Sequence, residues 1–178
     1  MDIEDSIIDL TDAIGNDYTD LAPEGEAHFD PVTLATLLAC HILYAVGAGI
    51  KEGITEAAKD GTVAVLQASG RHISERLVPQ RLRDFFSAKP DEADKDPADQ
   101  EKDADADRAT AEKQASDALA GAAFAAGGLD PTAVSQLAAA TAVAVAQALQ
   151  AAGLKETATI RVEQTIKAQV SITLTPAA

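Results

Sequence analysis

The chain has 178 residues, a formal net charge of −15 and 47% hydrophobic residues, but alanine alone supplies 39 positions and Leu, Ile, Val and Phe together only 40. That length suits one domain or two small ones. With no Trp, two Tyr and four Phe, an aromatic-lined pocket or a base-stacking platform is disfavoured, and the single Cys40 excludes an intrachain disulfide and a Cys-based zinc site.

The charge is clustered. Residues 1–30 hold ten acids and no Lys or Arg, and residues 91–107 hold nine acids against Lys95 and Lys102. Acidic runs repel phosphate backbones, which argues against nucleic acid as a partner. The opening MDIEDSIIDL has no basic region of the kind that starts a secretory signal. A cytoplasmic location is the expectation, with membrane association as the alternative.

In chain order, Ile3, Ile7, Leu10 and Ile14 recur at spacings of 4, 3 and 4, so residues 1–14 read as a short acidic helix with one narrow apolar seam. Two heptads are too short to be stable alone, and the seam must dock on something. Residues 15–29, with Gly15, Pro23 and Gly25, read as loop. Asp30-Pro31 supplies an N-cap acceptor followed by a residue pre-set for the first helical position.

From Pro31 to Ile50 there is no charged residue. Twenty such positions match a bilayer-crossing helix, whose apolar side chains would include Leu34, Leu38, Ile42 and Val46. His41 at mid-span and the absence of a basic belt upstream favour instead a central helix buried among other helices. Gly49 and Gly53 form a small-xxx-small pair suited to close helix packing in either medium.

A second helix is expected over about 54–69, with a short strand at Thr62–Gln67 as the competing reading. Residues 71–86 carry Arg71, Arg76, Arg81 and Arg83 and are divided by Pro79. These arginines are candidate contacts for an anion or an acidic membrane surface. The plainer reading is a solvated helix face that also balances the acidic N-terminus or the linker. Residues 88–107 contain no apolar side chain larger than alanine and read as an acidic, mobile linker between an N-terminal helical region (1–87) and a C-terminal part (108–178). The DADAD run at 103–107 has calcium-loop spacing at its first three positions. Arg108 and Gln114 stand where that loop needs Gly and a bidentate Glu.

Two alanine-rich helices, about 108–126 and 131–152, are separated by Gly127-Gly128-Leu129-Asp130-Pro131, which predicts an αα-hairpin. The tail then alternates. Ala158, Ile160, Val162, Ile166, Ala168, Val170, Ile172 and Leu174 take even positions, with polar residues at the odd ones. This pattern predicts a long β-strand or hairpin over about 157–175. The expected fold class is therefore α+β, mainly α: an alanine-rich helical bundle with a C-terminal β element.

No HExxH, GxSxG, GxGxxG or GxxxxGK[ST] motif occurs. His28, His41 and His72 have no metal-type i,i+4 partner, and Cys40 and His41 are neighbours that a helix turns about 100° apart. No catalytic, cofactor-binding or metal-ligating residue is assigned, and no cofactor is expected. A pocket gathering Arg71, His72 or His41 with a carboxylate would reopen an enzymatic reading. The function expected is that of a non-enzymatic, self-assembling structural or adaptor protein acting through helix packing and strand sharing. Its partners are expected to be copies of itself, joined by a shared sheet through Ile160, Val162, Ile166, Val170, Ile172 and Leu174, or another protein. Membrane insertion of helix 31–50 is the alternative.

Overall fold

The computed structural model describes residues 3–15, 31–78 and 97–175, and every regular element among them is helical. In order they are α1 (Ile3–Gly15), α2 (Pro31–Ala57), α3 (Thr62–Arg76), α4 (Pro97–Ala125), α5 (Pro131–Ala152) and α6 (Glu156–Leu174).

The α1 seam is used as its spacing dictates. Ile7, Leu10 and Ile14 are buried against α2 and α6, while Glu4, Asp5, Asp9 and Asp12 face solvent. One polar contact sits among them: the buried Ser6 hydroxyl donates to Oε1 of Gln169 on α6. The amide of Gln169 in turn donates to Oγ1 of Thr173 at 2.8 Å. A buried side-chain amide that is served on both ends fixes the register of two helices at little cost.

Helix α2 is the central element, packed by α1, α3 and α4. Leu38, Ile42, Leu43, Val46 and Ile50 are fully enclosed. The helix runs on past Ile50 to Ala57, because its glycines are contact points and not breaks. A Cβ on Gly47 would lie 2.5 Å from the carbonyl carbon of Ala118, so α4 crosses α2 backbone on backbone. Gly49 and Gly53 do the same for α3, against Ile73 and Ser69. These pairings make α3 antiparallel to α2, and α4, which also meets Lys51 at Gly121, parallel to it.

The expected second helix at 54–69 is thus split. Its first residues complete α2, a 3₁₀ turn at Ala58–Asp60 and Gly61 (φ 98°) reverse the chain, and Thr62–Gln67 opens α3 in place of a strand. Helix α3 ends at Arg76, before Pro79, and Arg81 and Arg83 lie outside the described residues.

Of the stretch read as a linker, 88–96 lie outside the described residues and 97–107 form the first turns of α4. Helix α4 begins at Pro97, preceded in sequence by Asp96. The same Asp-Pro pair precedes α2 and α5. At α5 the cap is explicit: Asp130 accepts from the Ala133 amide at 2.7 Å.

The turn 127–131 forms, but α4 and α5 do not lie along each other. Helix α4 packs chiefly on α2, whereas α5 packs on α6 and α3. The tight helical hairpin is α5–α6. Gly153 takes the left-handed conformation (φ 111°), its amide reaches Gln150, and the Leu154 amide reaches the Leu149 carbonyl at 3.0 Å. This is the paired-bond helix stop that glycine permits.

The C-terminal β element is the main correction. Residues 156–174 are a helix, and no strand or sheet exists among the described residues. Its buried positions include Ala158, Val162, Ile166, Val170 and Leu174, four residues apart. Every fourth residue is also every second even one, so a ladder at helical spacing is contained within the alternating pattern. The large even-position side chains that a strand would bury and a helix would not are Ile160 and Ile172, and they are 48% and 49% exposed. Strand sharing has no basis here, and Val162, Ile166, Val170 and Leu174 are spent in the chain's own core.

The described parts of all six helices contribute to a single apolar cluster.

Candidate functional site

The outward side of α2 is not apolar. Leu37, His41, Tyr44, Ala48, Lys51, Glu52, Thr55 and Glu56 follow at intervals that keep them on one stripe, about 28 Å long at 1.5 Å per residue. Helices α3 and α4 stand on either side, and between them lies an open cleft of about 1180 Å³. Helix α3 contributes His72 and Arg76, and α4 contributes Ala111, Gln114, Asp117, Ala118 and Gly121.

On the α3 side, acids of α2 meet bases of α3 across the antiparallel crossing. Arg76 holds Glu52 with both terminal nitrogens, at 3.0 Å and 2.5 Å. His72 stands between two carboxylates, Nε2 at 2.6 Å from Glu56 and Nδ1 at 3.1 Å from Glu52. A ring protonated at both nitrogens can donate to both acids, a neutral ring to only one. Arg71 closes the row by donating to Glu56. The hydrogen bond from Arg76 holds the Glu52 carboxyl below the ordinary carboxylate value, against an opposing contribution from partial burial. Arg71, then His72, do the same for Glu56. Both arginines are held more firmly protonated by the same bonds.

On the α4 side the charges behave differently. Lys51 lies flat over α4 because Gly121 has no side chain: a Cβ there would be 3.3 Å from Lys51 Cδ and 3.8 Å from Nζ. Neither Lys51 nor Asp117, one helical turn before Gly121, has an ion-pair partner among the described residues. Between these two sides the floor is Tyr44, Ala48 and Ala118, with Cys40 beneath. Burial, aided by the charge of Glu112, pushes the Cys40 thiol up to about 11, so it stays protonated and is a poor nucleophile.

No family model, curated protein or solved structure matches this chain. Its own geometry therefore carries the reading of the site.

Of the residues singled out in the sequence, Leu38, Ile42 and Val46 lie in the protein core, and Leu34 lies on the first turns of α2. Arg71 and Arg76 are engaged with Glu56 and Glu52, acids of α2, and not with the acidic N-terminal stretch or the 88–107 segment named in the plainer reading. Two of the groups that would reopen an enzymatic reading, His41 and His72, do share the cleft with carboxylates. Among the described residues no three His, Cys, Asp or Glu side chains are placed to hold a metal ion.

Lys51 stands in the sequence only as the residue that closes the uncharged run, and Tyr44, Asp117 and Gly121 do not stand out there. The signal for the first two was present: polar side chains at 41, 44, 51, 52, 55 and 56 recur on one face once the helix is carried through to Ala57. Asp117 and Gly121 give no local signal, because what makes them part of a site is the crossing of α4 over Gly47.

Proposed function

We propose that the protein is a non-catalytic helical binding protein that takes a small, partly apolar ligand in the α2–α3–α4 cleft. The observation that carries this reading is the division of the cleft's charges. Those facing α3 satisfy one another, whereas Lys51 and Asp117 stand beside an apolar floor without an ion-pair partner among the described residues. A cleft that sets an apolar floor beside charges left over from its own ion pairs suits a small molecule carrying both apolar and charged parts.

Catalysis is less well supported by the same arrangement. Both nitrogens of His72 are occupied by carboxylates, leaving no ring nitrogen directed at a nucleophile, and the Cys40 thiol is held protonated. The test is an amide-resolved NMR titration of the full chain with a panel of small amphiphilic compounds. Shifts concentrated at residues 44–51 and 117–121 are expected. Shifts scattered over the surface, or none at millimolar ligand, would overturn the reading.

A second reading has its own observation. Two helical stretches, Ala35–Asp60 and Pro131–Ala152, are long and apolar enough to cross a membrane. The second carries no charged residue and leaves Val143 exposed. On this reading α5 lies against a lipid surface. Flotation of the chain with neutral liposomes would support it, and its absence at all lipid concentrations would remove it.

A further inference from the structure

The two cleft charges that have no ion-pair partner among the described residues, Lys51 and Asp117, have a geometry of their own. Lys51 reaches across from α2 and is laid over α4 at Gly121, while Asp117 projects from α4 four residues earlier, about 6 Å along the helix axis. No ion pair within 4.0 Å joins them. A cation and an anion held one helical turn apart leave room between them for a group that carries both charges itself. A single anion would satisfy Lys51 and set its charge against Asp117; a single cation would do the reverse. Only a molecule with a carboxylate and an ammonium close together serves both.

We propose that this pair is the recognition element of the cleft and that its ligand is an α-amino acid with an apolar side chain. The ligand carboxylate accepts from the Lys51 ammonium, and the ligand ammonium donates to the Asp117 carboxylate. The ligand side chain lies on Tyr44, Ala48 and Ala118, the apolar floor beside the pair. Gly121 leaves room for the Lys51 chain: a Cβ there would stand 3.3 Å from Lys51 Cδ, a contact the flexible chain relieves by shifting a few tenths of an ångström. The acids on the opposite side do not compete for the ligand ammonium, because Glu52 and Glu56 are already held by Arg76, His72 and Arg71. This inference rests on the cleft being a small-molecule site, and its test separates the two.

The test is calorimetric and NMR titration of the full chain with leucine and three analogues: 4-methylpentanoate, which lacks the ammonium; isopentylamine, which lacks the carboxylate; and glycine, which lacks the apolar side chain. Leucine is expected to bind, and each analogue to bind on the order of tenfold more weakly, the value of one charge-assisted hydrogen bond or one buried aliphatic chain. Lys51→Met should remove the advantage of leucine over isopentylamine, and Asp117→Asn its advantage over 4-methylpentanoate. Both side chains are exposed, so the variants should keep the helical circular dichroism of the parent. If the single-charge analogues bind as tightly as leucine and still shift Tyr44 and Ala118, the zwitterion is wrong and the cleft stands. If neither leucine nor any analogue perturbs the cleft, the amino-acid proposal falls, and the small-molecule reading falls with it only if the amphiphile panel also leaves residues 44–51 and 117–121 unshifted.

Discussion

Glu52 is the residue on which the α2–α3 contact turns. Its carboxyl is held below the ordinary carboxylate value in the folded protein, first by Arg76. A depressed folded value means that the contribution is complete above the unfolded value, near 4.5, and is lost as pH falls through the lower folded one. The Glu52 side chain is 42% exposed, so solvent screening limits that contribution. Glu52→Gln should cost about 0.5–1 kcal/mol at pH 7 by urea unfolding. The difference from the parent should shrink steadily below pH 4.5; one that stays constant down to pH 3 would show that the carboxylate charge is not the source.

At the same scale, two glycines should respond in opposite ways. A Cβ on Gly47 would sit 2.5 Å from backbone of α4, which cannot yield as a flexible side chain can, while at Gly70 nothing lies within 4 Å. Gly47→Ala should lose on the order of 2 kcal/mol, overpacking set against a gain in helix propensity. Gly70→Ala, in the interior of α3, should gain about 0.5–1 kcal/mol. Denaturant midpoints of the two variants beside the parent decide both.

Among the elements, α6 carries the sharpest lesson about what sequence periodicity can say. Alternation over 157–174 fits a strand at every even position except Gln164, and a helix at every second one. Pattern alone does not choose between them when Thr and Ala, which suit either surface, fill many of the other places. The choice falls to packing: as a helix the segment is about 28 Å long and lies along α5 and α1, whereas a single strand of that length would run to roughly 60 Å. Val170 and Ile172 separate the two geometries, being 1% and 49% exposed on the helix where a strand would place them on one face. Val170→Lys should therefore cost several kcal/mol or prevent folding, and Ile172→Lys should change stability by less than about 0.5 kcal/mol. Equal damage from both, measured by thermal unfolding, would contradict the helix. The starts of α2 and α5 and the α1 seam were legible because Asp-Pro caps and i,i+3/i+4 spacing are local signals. Asp96-Pro97 was the same signal, hidden by the acidic composition around it.

For the whole molecule, what stayed illegible was partner choice. A two-glycine turn between α4 and α5 suggests neighbours, but the small-residue face of α4 is taken up by Gly47 of α2 instead. The cleft inherits that choice, since Asp117 and Gly121 reach the stripe on α2 only through it. The central position of α2 also makes a global prediction. Leu38 is fully enclosed by protein, so Leu38→Ala should lower the unfolding free energy by about 2–5 kcal/mol in detergent-free buffer. Stability that changes only when lipid is added would move that side chain out of the protein core.

The contact between Ser6 and Gln169 joins positions 163 residues apart. A ribosome adding roughly 5–20 residues per second needs about 8–30 s to get from one to the other. Throughout that interval α1 has been made, but its buried hydroxyl has no amide to meet and the α6 side of its seam is uncovered. Helix α1 can dock on α2 well before then, but the part of its seam that faces α6 is among the last contacts to close. A nascent chain halted before α6 should leave Ile7 and Leu10 open to chaperones that the finished protein excludes.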